Sequence, residues 1–234
     1  MKGVFITGTD TGVGKTTVAT LLCRLLSCHG FDLAVRKPVE SGCTLKDGEL
    51  FPNDAYSLQQ AAQSLDPLSL ICPYRFAAPL SPARAANLEK KPLKLDQLIE
   101  ASKVDRSSFL IVEGAGGFYS PIAQDGLNAD LAEKLGLPIL IVAGNRLGAI
   151  NQVLLVLEAL QRRGLTPLGI VLNQIQPISN PKLQNREELQ DWTQLPILEI
   201  PFCNPKNAHT INDFLNPILA WIDQWEGLPP LKLL

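Results

Sequence analysis

Along this chain, short continuous apolar runs alternate with longer stretches whose apolar residues recur at helical spacing. Val4, Phe5 and Ile6 read as a buried strand, since a brief apolar run bounded by turn residues suits a strand covered on both faces. A Gly-rich turn follows, then a helix from about Lys15 to Cys28, with Val18, Leu21, Leu22, Leu25 and Leu26 on one face and Gly30 placed to cap its end. Leu33 to Arg36 predicts a second strand, ended by Lys37-Pro38. A polar loop is expected from Glu40 to Pro52, and Asn53 or Asp54 opens a helix through about Gln63. The Pro-rich stretch from Asp66 to Pro82 predicts irregular structure, longer than an average connection and so more suited to a functional role than to a simple link.

The same alternation continues. Leu95 to Ser102 is helical in pattern, and Phe109 to Val112 is an apolar strand leading into Glu113-Gly-Ala-Gly-Gly117. Pro138 to Val142 predicts a strand, Gly148 to Arg163 a helix with Ile150, Val153, Leu154 and Leu157 inward, and Pro167 to Leu172 and Pro196 to Ile200 two more strands. Ile211 to Trp225 closes as a helix. Non-alternating apolar strands separated by helices predict an α/β class, a doubly wound, mainly parallel sheet with helices on both faces. Residues 1–226 are expected to form one domain, followed by a tail over 227–234.

Composition narrows the classes. A length of 234 residues suits one large α/β domain, and a net charge of -2 argues against bulk attraction to nucleic acid. The five cysteines form no CxxC pair, and with two histidines they give little support to a Cys/His zinc site; reduced thiols are expected. The opening run Gly3 to Ile6 is far too short for a signal-peptide core, and no stretch approaches the ~20 apolar residues of a membrane span. A cytoplasmic protein is expected.

The most informative stretch is Gly8-Thr-Asp-Thr-Gly-Val-Gly-Lys-Thr16, between the first strand and the first helix. Backbone N–H groups of such a turn cradle phosphate oxygens, Lys15 can reach the β/γ-phosphates, and the Thr16 hydroxyl can ligate Mg²⁺. The strict G-x-x-x-x-G-K-[ST] spacing is not met, because its first Gly would fall on Thr9. A Gly-rich turn without a ligand would explain the glycines but not Lys15-Thr16 at the helix start. Guanine specificity would leave an Asn-Lys-x-Asp element after a late strand. The comparable strand end is Asn173-Gln174, which favours ATP over GTP.

Mg²⁺ usually takes one or two carboxylates beside phosphate oxygens and water. Glu113 ends an apolar strand and precedes a glycine-rich turn, so it is placed to approach a ligand closely. Asp54, just after the loop that follows the second strand, could also ligate the metal, but taken alone it reads as an N-terminal helix charge. Lys37 ends the second strand; taken alone, it is either a snorkelling surface lysine or a second cation beside a transferring phosphoryl group. Thr11 and Ser41 offer hydroxyls to a polar substrate.

Taken together, these segments resemble the dethiobiotin synthetase family. The phosphate loop matches its G-T-D-T-x-V-G-K-T. Lys37-Pro38-Val39 with Ser41-Gly42, Asn53-Asp54, Pro73-Tyr74, Pro79-Leu80-Ser81-Pro82, Glu113 to Gly117 with Pro121, Leu147-Gly148 with Asn151, Asn173, and Ile200-Pro201 continue the match in order, over about residues 2 to 210. The resemblance implies a P-loop NTPase fold and a cyclo-ligase that makes dethiobiotin from 7,8-diaminononanoate, CO₂ and ATP through a carbamate and a carbamic-phosphoric anhydride. It implies that Gly12, Val13, Gly14, Lys15, Thr16 and Thr17 bind the ATP phosphates, that Thr16, Asp54 and Glu113 surround Mg²⁺, and that Lys37 acts with Lys15 in catalysis. Gly114, Ala115 and Gly116 would also border the nucleotide. Asn173 and Gln174, with Pro201, Phe202 and Cys203, would face the adenine. Thr11 and Ser41 would contact the diamine, and Asn151 its carboxylate tail across a homodimer interface, at the helix start of Asn145 to Asn151. Family members often carry Glu where this chain has Lys206, and the match is loose after Asn207, so no role is assigned there.

Three other classes compete. A ParA/MinD-like switch ATPase usually carries a signature lysine early in the phosphate loop, where this chain reads Thr9-Asp10-Thr11. A glutamine-dependent amide ligase of the cobyric-acid type needs a further amidotransferase domain. A non-catalytic nucleotide-binding module would leave Lys37 and Glu113 unexplained.

Overall fold

The structure, a computed structural model, describes residues 2–104, 108–177, 182–202 and 212–224. β1 (Gly3–Gly8) runs into α1 (Lys15–Cys28), and the chain returns as β2 (Leu33–Arg36). Next come β3 (Val39–Ser41), a hairpin of β4 (Thr44–Lys46) and β5 (Glu49–Phe51), α2 (Asn53–Ala61), α3 (Leu68–Ile71) and β6 (Tyr74–Phe76). Two helices, α4 (Pro82–Leu88) and α5 (Leu95–Ala101), lead to the long strand β7 (Phe109–Gly117) and the small pair β8 (Pro121–Ala123) and β9 (Gly126–Leu127). The remainder alternates: α6 (Asn128–Leu135), β10 (Ile139–Gly144), α7 (Ala149–Arg162), β11 (Pro167–Asn173), α8 (Asn185–Gln190), β12 (Ile197–Ile200) and α9 (Asn212–Gln224).

Six strands form the main sheet in the order β12-β11-β10-β1-β7-β2. Every pairing within it is parallel. Alternate residues of each strand enter opposite cores. Val4, Ile6, Val35, Ile111, Leu140, Val142 and Val171 pack with Val18, Leu22 and Leu26 of α1 and Leu58 of α2. Phe5, Ala34, Leu110, Val112, Ile139, Ile141 and Ile170 pack on the other face, against Leu131 of α6 and Val153, Leu157 and Leu160 of α7. Burial on both faces is why these strands read as continuous apolar runs. On α7 the buried side is Ala149, Val153, Val156, Leu157, Ala159 and Leu160, while Ile150 and Leu154 are half-buried at its margin.

Three expectations are corrected. The stretch from Glu40 to Pro52 is not an open loop: it carries β3 and the antiparallel β4–β5 hairpin, closed at Asp47-Gly48 with both residues at positive φ. The stretch from Asp66 to Pro82 is not irregular, since it holds α3 and β6, and β6 pairs in parallel with β3. The strand expected to stop at Val112 continues through the glycines to Gly117, pairing Gly8 with Gly117 after a register shift. Glycines lower strand propensity, so the run reads as a turn; neighbouring β1 supplies the ladder that overrides it.

Candidate active site

The carboxyl ends of β1, β7 and β2 open onto a cleft of about 340 Å³, lined by Thr11, Gly12, Gly14, Lys15, Thr16, Thr17, Lys37, Glu40, Ser41, Asp54, Glu113, Ala115 and Gly116. In doubly wound sheets ligands collect at this edge. The phosphate loop forms one wall. Gly14 caps α1 in the left-handed region (φ 88), no side chain caps the helix, and its first turn holds no acidic residue. Such a terminus presents free N–H groups and a partial positive charge, the arrangement that receives an anion. Gly14 is required for a second reason: a Cβ there would strike the Asn173 side-chain amide, which donates from Nδ2 to the Val13 carbonyl at 3.0 Å. The Lys15 ammonium folds back and donates to the Asp10 carbonyl at 3.1 Å.

Lys37 lies at the centre. It is 3% exposed, and Glu113 is fully buried. Lys37 Nζ donates to Glu113 Oε1 at 2.5 Å and to Asp54 Oδ2 at 3.0 Å. Burial disfavours this ammonium, but Glu113 and then Asp54 outweigh burial and hold its pKa well above the ordinary lysine value. For Asp54, burial pushes upward while Lys37, assisted by the Thr16 hydroxyl, pulls the carboxyl below the usual range. Lys15 goes the other way. Burial and then the Lys37 charge lower it to about 8, against the pull of Glu113, Asp54 and Asp10. Two buried lysines thus share one cleft, one clamped as a cation and one whose pKa is brought down to about 8.

The donor set suits a hard divalent cation only in part by itself. Among the described residues no group of three or more His, Cys, Asp or Glu side chains forms a metal cage. Glu113 nevertheless accepts from the Thr16 hydroxyl at 2.8 Å on Oε1, while its buried Oε2 has no partner among the described residues. A buried carboxylate oxygen left unpaired is unfavourable. Beside Thr16 and Asp54 it fits Mg²⁺, which takes few protein ligands and completes its shell with phosphate oxygens and water.

Most of the expected site residues meet here: Thr11, Gly12, Gly14 to Thr17, Lys37, Ser41, Asp54, Glu113, Ala115 and Gly116 all border the cleft. Ser41 Oγ donates to the Leu80 carbonyl at 2.6 Å, joining the Pro-rich segment to this wall. Val13 is buried behind the loop. Gly114 sits within β7, where its carbonyl accepts from Lys37 at 3.4 Å. Asn173, Gln174, Pro201 and Phe202 are not in the cleft lining; they gather at the ends of β11 and β12, where Gln174 N–H donates to the Ile200 carbonyl at 2.9 Å. Asn151 is exposed on α7, outside the lining as well. Cys203 and Lys206 lie outside the described residues. Sequence reading missed Glu40, which is 6% exposed. Its two carboxylate oxygens accept from the Asp54 and Ala55 N–H groups, each at 3.0 Å. No residue-type signal marks it, since Val39-Glu40-Ser41 reads as part of a polar stretch.

A wholly parallel sheet with a Lys15-Thr16 loop after its first strand, and Glu113 on the neighbouring strand, defines a P-loop nucleotide enzyme. Comparison with known proteins agrees. Residues 2–208 match the family described as AAA domain. The ATP-dependent dethiobiotin synthetase BioD of Anaeromyxobacter sp. (strain K) is 46% identical over 206 residues, 86% of this chain and 91% of that protein. The BioD of Ruthia magnifica subsp. Calyptogena magnifica is 42% identical over 84% of this chain and 90% of its own length. In structure, the cell division ATPase MinD of Pyrococcus furiosus superposes with a TM-score of 0.51 at 18% identity, covering 98% of this chain and 100% of that one, a likeness of fold alone. The chain belongs to the ATP-dependent dethiobiotin synthetase family: it is an ATP-using ligase of biotin biosynthesis. No helix among the described residues is long and apolar enough to cross a membrane.

Proposed function

We propose that this cleft closes the cyclic urea of dethiobiotin from 7,8-diaminononanoate, CO₂ and ATP by way of a carbamate and a carbamic-phosphoric anhydride. The observation that carries the reading is the pair of buried lysines, Lys15 and Lys37, beside Thr16, Asp54 and Glu113. One amine of the substrate adds to CO₂ and loses a proton, giving a carbamate. A carbamate oxygen is a poor leaving group. Its attack on the γ-phosphorus releases ADP and makes phosphate the leaving group. The second amine then attacks the carbonyl carbon, the C–O bond to phosphate breaks, and the five-membered urea closes with loss of a proton. Such phosphoryl transfer needs positioning and charge neutralisation more than covalent help from the protein.

Lys15 and the N–H groups of Gly12 to Thr17 hold the phosphates, and Lys37 faces the transferring group. Thr16, Asp54 and Glu113 would hold Mg²⁺, which when bound would supply charge neutralisation at the phosphate oxygens. Thr11 and Ser41 meet the diamine, while Asn173, Gln174, Pro201 and Phe202 receive the adenine. Residues 1–226 act as one domain. The working form is a homodimer in which the start of α7, with Asn151, meets the carboxylate of the diamine bound by the partner subunit. Support for that contact is Leu147, which is 90% exposed just ahead of α7. A fully active monomer in sedimentation at assay concentration would remove the shared site.

The test of the reaction follows oxygen. With ¹⁸O-labelled CO₂, ADP should form only when the diamine is present, and one label should appear in the released phosphate. ADP formed at the same rate without diamine, or unlabelled phosphate, would indicate a plain ATPase.

Lys15 gives a pH signature. With its pKa lowered to about 8 in the free site, the loop loses its cation as pH rises through that value. Phosphate stabilises the protonated form, so binding takes up a proton above that pH and none below it. The Kd for ATP in EDTA should be flat up to about pH 7 and weaken by up to about tenfold per pH unit beyond ~8.5. A Kd unchanged to pH 10 would separate Lys15 from the phosphates.

A further inference from the structure

Helix α2 brings Asp54 to the cleft, yet its own sequence does not secure its first turn. The N-cap residue is Pro52, and no side chain caps from that position. Asp54 is the acid of the first turn, but its carboxylate is turned outward to Lys37 at 3.0 Å. The free N–H groups of Asp54 and Ala55 are instead met by Glu40, which enters from β3 with one oxygen on each, both at 3.0 Å. Glu40 is buried and borders the cleft between Lys37 and Ser41. β3 is itself held by its parallel pairing with β6 and by the Cys43 N–H bond to the Phe76 carbonyl at 2.9 Å.

We propose that Glu40 is a positioning residue for the metal side of the reaction: by clamping two successive N–H groups at the start of α2, it fixes Asp54 where Lys37 and a divalent cation are met. The inference rests on the reading of Asp54 as a cation ligand. Two features make a carboxylate the required group. Both of its oxygens accept, whereas an amide would turn an NH₂ group toward one of the N–H donors. Its negative charge also complements the positive end of the helix. Burial, with the Asp54 charge beside it, raises the Glu40 pKa, opposed by Lys37 and by the two N–H donors; these are the groups that face it across the cleft.

Groups that orient a metal ligand typically change metal affinity by about 10–100-fold when removed. The experiment titrates Mn²⁺ by electron paramagnetic resonance into the folded enzyme saturated with a non-hydrolysable ATP analogue, and in parallel measures the Mg²⁺ needed for half-maximal ADP formation. Glu40→Gln should weaken Mn²⁺ binding about tenfold and raise the half-maximal Mg²⁺ in step, with ATP affinity in EDTA changed less than about twofold. Glu40→Asp, which keeps the charge but cannot span both N–H groups, should lie between, and serves if Glu40→Gln folds poorly. Adding Glu40→Gln to Asp54→Asn should weaken Mn²⁺ no further, because the two act on one ligand. A Glu40→Gln protein that melts earlier but binds Mn²⁺ as tightly as wild type overturns the proposal and leaves Glu40 a helix cap. Asp54→Asn without effect on Mn²⁺ overturns the ligand reading itself, and the Glu40 proposal with it.

Discussion

Lys37→Ala is expected to lower kcat by about 10²-fold or more while changing the Kd for ATP by less than about threefold. On the proposed reaction the charge of Lys37, held beside Glu113 and Asp54, meets the group in transfer, so its loss would be felt mostly in the transition state, whereas the loop and Lys15 would remain to bind ground-state phosphates. A second effect accompanies the first. The Lys37–Glu113 pair is enclosed, with side chains 4% and 0% exposed, and removing one partner of such a pair typically destabilises by about 3–5 kcal/mol. The variant should therefore melt well below wild type, and Lys37→Ala/Glu113→Gln should recover part of that stability without recovering turnover. Single-turnover phosphate release with the diamine present is the direct measurement. Wild-type rates in Lys37→Ala would reduce this lysine to a structural counter-charge.

Gly14→Ala should abolish useful nucleotide binding, weakening the Kd for ATP by about 10²-fold and lowering stability by about 2–3 kcal/mol. Two costs add. The position has φ +88, where any Cβ is strained, and the new methyl would meet the Asn173 amide, which cannot retreat without losing its bond to the Val13 carbonyl. Gly30→Ala is the control: its φ is +79, but a Cβ there meets open space. That change should cost about 1 kcal/mol of stability and leave ATP binding alone. Isothermal titration of both variants decides, and a Gly14→Ala protein with wild-type affinity would show that the loop can relax around the methyl.

The parts of the site legible in the sequence were those written contiguously or at a strand end. Lys15-Thr16 follows a strand and opens a helix, and Lys37 and Glu113 each terminate an apolar run, so position along the chain already implied position in space. Asp54 was ambiguous, because an acid in a first helical turn is commonplace, and only its approach to Lys37 separates it from that reading. Glu40 was hidden because its partners lie 14 and 15 residues away and hydrogen-bond through backbone, which leaves no residue-type signature. The β3–β6 pairing was hidden likewise: three-residue strands joined across sequence are specified by tertiary contacts, not by period. The short helices α4 and α8 each carry a single leucine, so no helical spacing shows, whereas the equally short α5 shows it through Leu95, Leu98 and Ile99.

The phosphate loop of this chain is already tied at three points. Asn173 holds the Val13 carbonyl, Asp10 accepts from its neighbour Thr11 N–H at 2.7 Å, and its own carbonyl receives the Lys15 ammonium. A loop so fastened gives up its conformational freedom when the protein folds, not when the nucleotide arrives. Binding then has little backbone ordering entropy to overcome, and the one tie to be exchanged is that of the Lys15 ammonium, which leaves the Asp10 carbonyl to reach a phosphate. The same bond from Asn173 ties the end of β11 to the phosphate loop, so a shift of one strand end would be carried directly into the turn beside Lys15.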